Sequence, residues 1–240
     1  MITGIDVSPY QPVIDWAKVA AAGHRFAFIK FTEGNGWISK IAHRQWADAQ
    51  AAGLFRGPYH FARWETAGDP IADALDEAAH FFDTVGPLEP GDLPPVLDLE
   101  WITGQKRNPD ELALWALTFL EECTRLFGRS PIVYTGPSFW RYCLLPDKRN
   151  LSLELAHYTL WIVDYGGKAA PRPMHGVEWP WHFWQHTGSG TCPGIAGKCD
   201  LNRFVGSEDD LRALACLPPV GALSLAEASG GLSLAEEDLA

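Results

Sequence analysis

Two carboxylates stand two residues apart where an apolar run stops, in Pro94-Pro95-Val96-Leu97-Asp98-Leu99-Glu100-Trp101. Such a run reads as a buried strand that stays apolar until its C-terminal end. Residues i and i+2 of a strand point to one face, about 6.5–7 Å apart, so Asp98 and Glu100 face each other. Carboxylates that close do not readily ionise together. One keeps its proton, and the pair divides into an acid and a base, as glycoside hydrolysis requires. The competing reading is structural: Asp98 caps the following turn and Glu100 is merely solvated.

Other strand ends bear on the choice. Asp6 closes a first strand in Gly4-Ile5-Asp6-Val7-Ser8, and Asp200 opens a last one in Cys199-Asp200-Leu201-Asn202-Arg203-Phe204. In a closed barrel these strands are neighbours, so Asp6 and Asp200 are expected to converge with Asp98 and Glu100 on one acidic mouth. Each aspartate alone would also suit a turn or a helix cap. Lys30, inside the apolar run that leads to Glu33, needs a carboxylate partner that the mouth would supply; a structural ion pair and a substrate contact both fit. Tyr59, Tyr134 and the pair Trp184-Gln185 end further strands and bring aromatic faces to the same opening, which suits pyranose C–H faces as well as core packing.

The elements that must hold these residues alternate short apolar runs with longer helical patterns, the order of β/α units around a parallel sheet. Strands are expected near residues 4–8, 26–32, 57–61, 95–99, 132–135, 160–164, 182–185 and 201–204, which implies a closed barrel. Asp69-Pro70 opens a helix that Gly86-Pro87 stops, and Asn108-Pro109 opens another that ends at Gly128. Further helices are expected at about 39–52, 15–22 and 207–215. With 240 residues and 47% hydrophobic content, one barrel-sized domain can be built.

Net charge is −11 and no run of Lys or Arg occurs, so the electrostatic footprint of a nucleic-acid-binding protein is missing. No stretch reaches the ~20 apolar residues of a membrane-spanning helix. Eleven Trp suit both a large core and a sugar-binding cleft. Of the five cysteines, Cys192 and Cys199 are placed to bridge a small loop, and would stay reduced after cytoplasmic synthesis.

The motifs in their order resemble those of the glycoside hydrolase family 25 lysozymes: Gly4-Ile5-Asp6-Val7-Ser8 with Gln11 and Ile14-Asp15-Trp16, Lys30-Phe31-Thr32-Glu33-Gly34, Gly57-Pro58-Tyr59-His60-Phe61, Asp98-Leu99-Glu100, Leu160-Trp161-Ile162, Trp184-Gln185 and Asp200-Leu201-Asn202. The resemblance covers residues 1 to about 216. It implies an α/β fold: an irregular single-domain β/α barrel with eight mostly parallel strands and fewer helices than a TIM barrel. It further implies an N-acetylmuramidase cutting the β-1,4 bond between N-acetylmuramic acid and N-acetylglucosamine of peptidoglycan glycan strands. Glu100 would be the general acid. Asp98 would assist, orienting the substrate's N-acetyl group for a retaining attack; inversion through an activated water is the other course. Asp6 and Asp200 would complete the acidic set. Tyr59, Tyr134, Trp184 and Gln185 would line the sugar subsites with Asp164, and Lys30 would support the carboxylates. No cofactor and no metal are expected, and activity should be greatest at acidic to neutral pH.

Rival readings are a sugar-binding module without turnover, an endo-N-acetylglucosaminidase or chitinase, and a metal amidase using His182 and His186. An i, i+4 pair on a strand lies ~13 Å apart, too far to share one zinc. Residues 217–240 form an acidic tail in which Leu-Ser-Leu-Ala-Glu occurs twice, expected to be flexible rather than a docking peptide. The start at Met1-Ile2-Thr3 shows no secretory pattern. The expectation is an endolysin-like protein, held in a host cytoplasm until release to the wall, or secreted if a leader was trimmed. Oligomeric state is left open.

Overall fold

The computed structural model describes residues 1–64, 68–102, 108–144, 151–166 and 169–220. Its strands are β1 (Ile2–Val7), β2 (His24–Glu33), β3 (Trp37–Ile38), β4 (Phe55–Phe61), β5 (Val96–Asp98), β6 (Ile132–Thr135), β7 (Thr159–Val163), β8 (Trp181–Gly190) and β9 (Cys199–Phe204). They run in the order β1-β9-β8-β7-β6-β5-β4-β2, and pairing of β1 with β2 closes the barrel. All eight expected strands are present. The short β3 is an addition that folds back on the end of β2.

Seven of the eight barrel strands are parallel, and β9 runs antiparallel to both of its neighbours. This reversal places Asp200, at the start of β9, directly opposite Asp6, at the end of β1. A parallel β9 would have put the two at opposite mouths.

Side chains alternate between two cores, as the two-residue period of a strand demands. The interior is filled mainly by aromatics, among them Phe26, Phe28, Trp161, Phe183 and Phe204, with Phe28 and Trp161 stacked at 4.3 Å between centroids. The opposite parity, including Ile5, Ile29, Leu97, Val133 and Ile162, packs outward under the helices. Two glycines make room for the interior rings. A Cβ on Gly4 would lie 2.5 Å from the Phe26 ring, and one on Gly57 would lie 2.6 Å from Phe28. Gly57→Ala should therefore destabilise the fold by about 1–3 kcal/mol, the usual result of overpacking. A lower urea midpoint at unchanged slope is the expected readout; an unchanged midpoint would show that the ring yields freely.

The helices follow their punctuation. Helix α1 (Trp16–Ala21) is capped by Asp15, and α2 (Ala42–Ala51) follows β3. Helix α3 (Pro70–Val85) starts with the Asp69 carboxylate accepting from the Ile71 N–H and ends at Gly86. Helix α4 (Pro109–Phe127) is capped by Asn108 and ends at Gly128, whose φ of 66° is left-handed and therefore suits glycine. The expected α2 began three residues early. Two helical segments were not foreseen: α5 (Pro137–Phe139), which widens into a π turn over Trp140–Leu144, and a 3-10 stretch over Leu151–His157. Neither keeps a 3.6-residue apolar period long enough to stand out.

Because β9 is reversed, it ends at the barrel's other mouth. Helix α6 (Glu208–Leu214), opened by a reciprocal Ser207–Asp210 cap, closes that end with Leu211. Beyond it, Arg212 donates to the Pro218 carbonyl and the Val220 N–H to Asp209. The rest of the acidic tail, 221–240, lies outside the described residues. Among the described residues, no helix is long and apolar enough to cross a membrane.

Candidate active site

The inward parity that carries aromatics through the barrel delivers polar groups where the parallel strands end. Asp6, Tyr59, Asp98, Tyr134, Gln185 and Asn202 are all buried there, with Glu100 half-buried two residues past Asp98. The four carboxylates expected at one mouth are brought together. Burial and the charge of Asp200 push Asp6 up to about 8. Burial and then Glu100 push Asp98 well above the usual carboxylate range. Burial raises Glu100 against the pull of Lys30, and burial raises Asp200.

A hydrogen-bond network fixes the Asp6 side. Gln185 Nε2 and Asn202 Nδ2 both donate to Asp6 Oδ2, at 2.9 and 2.7 Å. The Gln185 amide is oriented by two phenols, since Oε1 accepts from Tyr134 Oη at 2.9 Å and from Tyr165 Oη at 2.7 Å. Asn202 is oriented by the Trp161 indole, which donates to Oδ1 at 2.8 Å. With Oδ2 accepting two N–H groups, the proton that Asp6 retains belongs on Oδ1, on the side of its Asp200 hydrogen bond.

This protonation has a stability consequence. A carboxyl whose folded pKa is raised binds its proton more tightly in the folded state, so stability is greatest below the unfolded value near 4 and falls as pH rises toward 8. Asp6→Asn imitates the protonated acid, keeping an acceptor for both amides and a donor toward Asp200. Melting temperature should fall between pH 5 and 8 in the wild type and fall less in the variant. Parallel losses would place the titrating group elsewhere.

Lys30 pairs directly with Glu33, Nζ to Oε2 at 2.6 Å, over the Phe61 ring at 4.5 Å. Glu33 in turn accepts from Arg63 Nε at 2.7 Å. Lys30's contact partner is thus Glu33 at the rim, while its charge still lowers the pKa of Asp98 and Glu100. Tyr59 is buried among the four carboxylates, and burial and their charge hold its phenol protonated.

Two expected substrate contacts are placed differently. Trp184 is 1% exposed and belongs to the outer core, its indole donating to the Asp164 carbonyl at 2.9 Å. Adjacent residues on a strand point to opposite faces, so Trp184 and Gln185 cannot both face the mouth, and it is Gln185 that does. Asp164 borders the cleft, but its carboxylate is taken up by Arg172, whose Nη2 lies 2.7 Å from Oδ1, and by the Arg172 and Gly166 N–H groups. Burial alone would raise Asp164; these donors outweigh it and hold it low.

A cleft of about 320 Å³ opens beside the carboxylates, bordered by Glu100, Trp101, Phe139, Tyr165 and Arg172 among others. Of the four acidic candidates, Glu100 is the one that lines it. The exposed faces of Trp101 and Tyr165, 57% and 58% accessible, are the aromatic surfaces offered to a ligand there. Sequence reasoning overlooked Trp101, Tyr165, Arg172 and the role of Asn202. Only Asn202 carried a signal, two residues from Asp200 on the same face. Among the described residues, no group of three His, Cys, Asp or Glu is placed to hold a metal, and His182 and His186 stand four apart on β8. Cys192 and Cys199 are free thiols within hydrogen-bonding reach of each other.

A closed β/α barrel that gathers four carboxylates at one mouth, beside an aromatic cleft, fits the paired-carboxylate chemistry of a glycoside hydrolase. The chain belongs to the glycosyl hydrolases family 25, whose model matches residues 5–195. It is 34% identical over 218 residues to the uncharacterized protein YegX of Escherichia coli O157:H7, covering 88% of this chain and 72% of that protein. It is 32% identical over 227 residues to Lysozyme M1 of Streptomyces globisporus, covering 89% and 71%. The bacterial lysozyme from Streptomyces coelicolor superposes with a TM-score of 0.78 at 31% identity, covering 89% of this chain and 96% of that one.

Proposed function

We propose that this glycoside hydrolase is an N-acetylmuramidase that cleaves the β-1,4 bond between N-acetylmuramic acid and N-acetylglucosamine in peptidoglycan, with Glu100 as general acid and Asp98 as its assistant. The observation that carries the assignment is that Glu100 combines a raised pKa with a position lining the open cleft. A proton donor must keep its proton near working pH and still reach the glycosidic oxygen. Lysozyme M1 and the Streptomyces coelicolor lysozyme support the substrate class.

Burial raises both Asp98 and Glu100, so in the free enzyme the two share a proton as a coupled pair. Asp98 is the more buried, and its Oδ1 has no hydrogen-bond donor among the described residues. An N-acetyl N–H of bound substrate is such a donor. By hydrogen bonding to the charged form of Asp98 it lowers that pKa and leaves the shared proton on Glu100. Substrate binding thereby arms the acid. With Asp98 ionised, the N-acetyl group is oriented toward the anomeric carbon, its oxygen attacks as Glu100 protonates the leaving oxygen, and the positive charge that develops is held by Asp98. Water, giving its proton to the Glu100 carboxylate, then attacks the anomeric carbon, breaks the bond to the N-acetyl oxygen and restores both groups. Tyr134, Gln185 and Asn202 keep Asp6, and through it Asp200, in a fixed arrangement beside the reacting pair.

The test is the identity of the new reducing ends. Borohydride reduction of digested peptidoglycan should convert muramic acid to its alditol, supporting this reading. Glucosaminitol in its place would make the enzyme an endo-N-acetylglucosaminidase. Delivery as an endolysin belongs to the same proposal: a holin gene beside the coding sequence supports it, and a secretion leader encoded upstream overturns it.

A further inference from the structure

The strongest feature outside the carboxylate cluster is a fixed cation along the same groove. Arg172 borders the cleft that Glu100 lines, and also a second cavity of about 380 Å³ that shares Pro137 and Ser138 with the first. It therefore stands on the border between the compartment at the reacting centre and a neighbouring one. The second compartment is lined by Arg141 and His175 as well, and among the described residues no carboxylate lines it. In a chain of net charge −11, with four acidic groups at the neighbouring mouth, that sign reversal is local and sharp.

Arg172 is also held in position. Its Nε and Nη2 are bound to Asp164, whose side chain is fully buried, while the Arg172 side chain is 62% exposed. The buried carboxylate fixes the guanidinium plane, and Nη1 makes no hydrogen bond among the described residues. A planar fork anchored on one edge presents its other edge to a second planar anion at little further entropic cost. Arg141 adds a second positive charge on the same compartment.

We propose that Arg172, with Arg141, forms a carboxylate-recognising subsite of the groove, reading an anionic substituent carried by the sugar strand beyond the scissile bond. This rests on the muramidase reading. A glycan that enters an acidic mouth with carboxylates of its own is repelled there, and a fixed cation one subsite away offsets that repulsion and sets the register. Two sources supply the group: the free lactyl carboxylate of a muramic acid without its peptide, or a carboxylate of the attached stem peptide.

The experiment compares KM and kcat on four substrates: intact peptidoglycan, glycan stripped of stem peptides by an amidase, and each of these with its carboxylates converted to neutral amides by carbodiimide. Amidation should raise the wild-type KM about fivefold, the size expected of one partly exposed charge-assisted contact, and leave kcat nearly unchanged. Arg141→Gln, which breaks no buried pair, should raise KM on the charged substrates and reduce the response to amidation. Arg172→Lys should do the same while still neutralising Asp164. If only the intact material responds, the stem peptide is the source; if the stripped glycan responds, the lactyl group is. A KM that ignores amidation in the wild type, or variants that retain the full response, would overturn the subsite. Muramic acid reducing ends would persist in that case, so failure here stays distinct from failure of the cleavage assignment.

Discussion

Glu100→Gln lowers turnover on peptidoglycan by about 10²–10⁴-fold, the range expected when a positioned proton donor is removed from a poor leaving group. The amide has the shape of the acid but no proton to give. Its folding should be intact, because Glu100 lies beyond the end of β5, is half-buried, and makes no hydrogen bond among the described residues. Substitution also removes a charge from a crowded acidic mouth. Dye release from labelled cell walls gives the turnover, and thermal melting gives the fold; near-normal hydrolysis by a folded variant would remove Glu100 from the mechanism.

Asp98→Asn is the second large effect, about 10²–10³-fold in kcat, comparable to loss of one preorganised electrostatic stabiliser. The variant can still accept a hydrogen bond from an N-acetyl N–H, so KM should change little. What it loses is the negative charge opposite the developing positive charge. It also loses the partner with which Glu100 shares its proton, while burial and the charge of Asp200 still raise Glu100. A rise in KM with unchanged kcat would make Asp98 a binding residue only. In the wild type, the anomer first formed, read by NMR, separates the routes, since N-acetyl participation gives retention and direct attack by water gives inversion.

Much of the scaffold is legible in the sequence because strands and helices announce themselves locally. Asp69-Pro70 and Asn108-Pro109 cap and open α3 and α4, and Gly86 and Gly128 end them. The apolar runs of the barrel strands stand out locally, as in Val96-Leu97 closed by Asp98 and Leu160-Trp161-Ile162-Val163 closed by Asp164. The joint placement of Asp6 and Asp200 was legible only in part, because it depends on the reversal of β9, and strand direction is decided by how the β8–β9 connection turns rather than by either strand's residues. The inward and outward faces of Trp184 and Gln185 were decidable from the two-residue period, given that Gln185 is the one that reaches Asp6. Asp164 was legible as a strand-end carboxylate but not as the anchor of Arg172, a loop residue eight positions on with no periodicity to mark it. Trp101 and Tyr165 sit just past strand ends, where alternation stops and side-chain direction follows the loop.

The carboxylate network also shows why the mouth tolerates so much negative charge. Asp6 is pushed up to about 8 and keeps its proton at neutral pH, burial raises Asp98 and Glu100 as well, and Lys30 lies near enough to pull both down. The ionised charge is therefore smaller than the four formal carboxylates imply.

The central claim, that Glu100 supplies the proton to the leaving sugar, is tested most directly by a substrate that does not need one. An aryl β-glycoside of an N-acetylmuramyl sugar, with a dinitrophenolate leaving group, departs without protonation. If Glu100 is the acid, Glu100→Gln should lose about 10²–10⁴-fold in kcat/KM on peptidoglycan but less than about tenfold in kcat/KM on the aryl glycoside. Equal losses on both substrates would contradict the account and assign Glu100 a role other than proton donation.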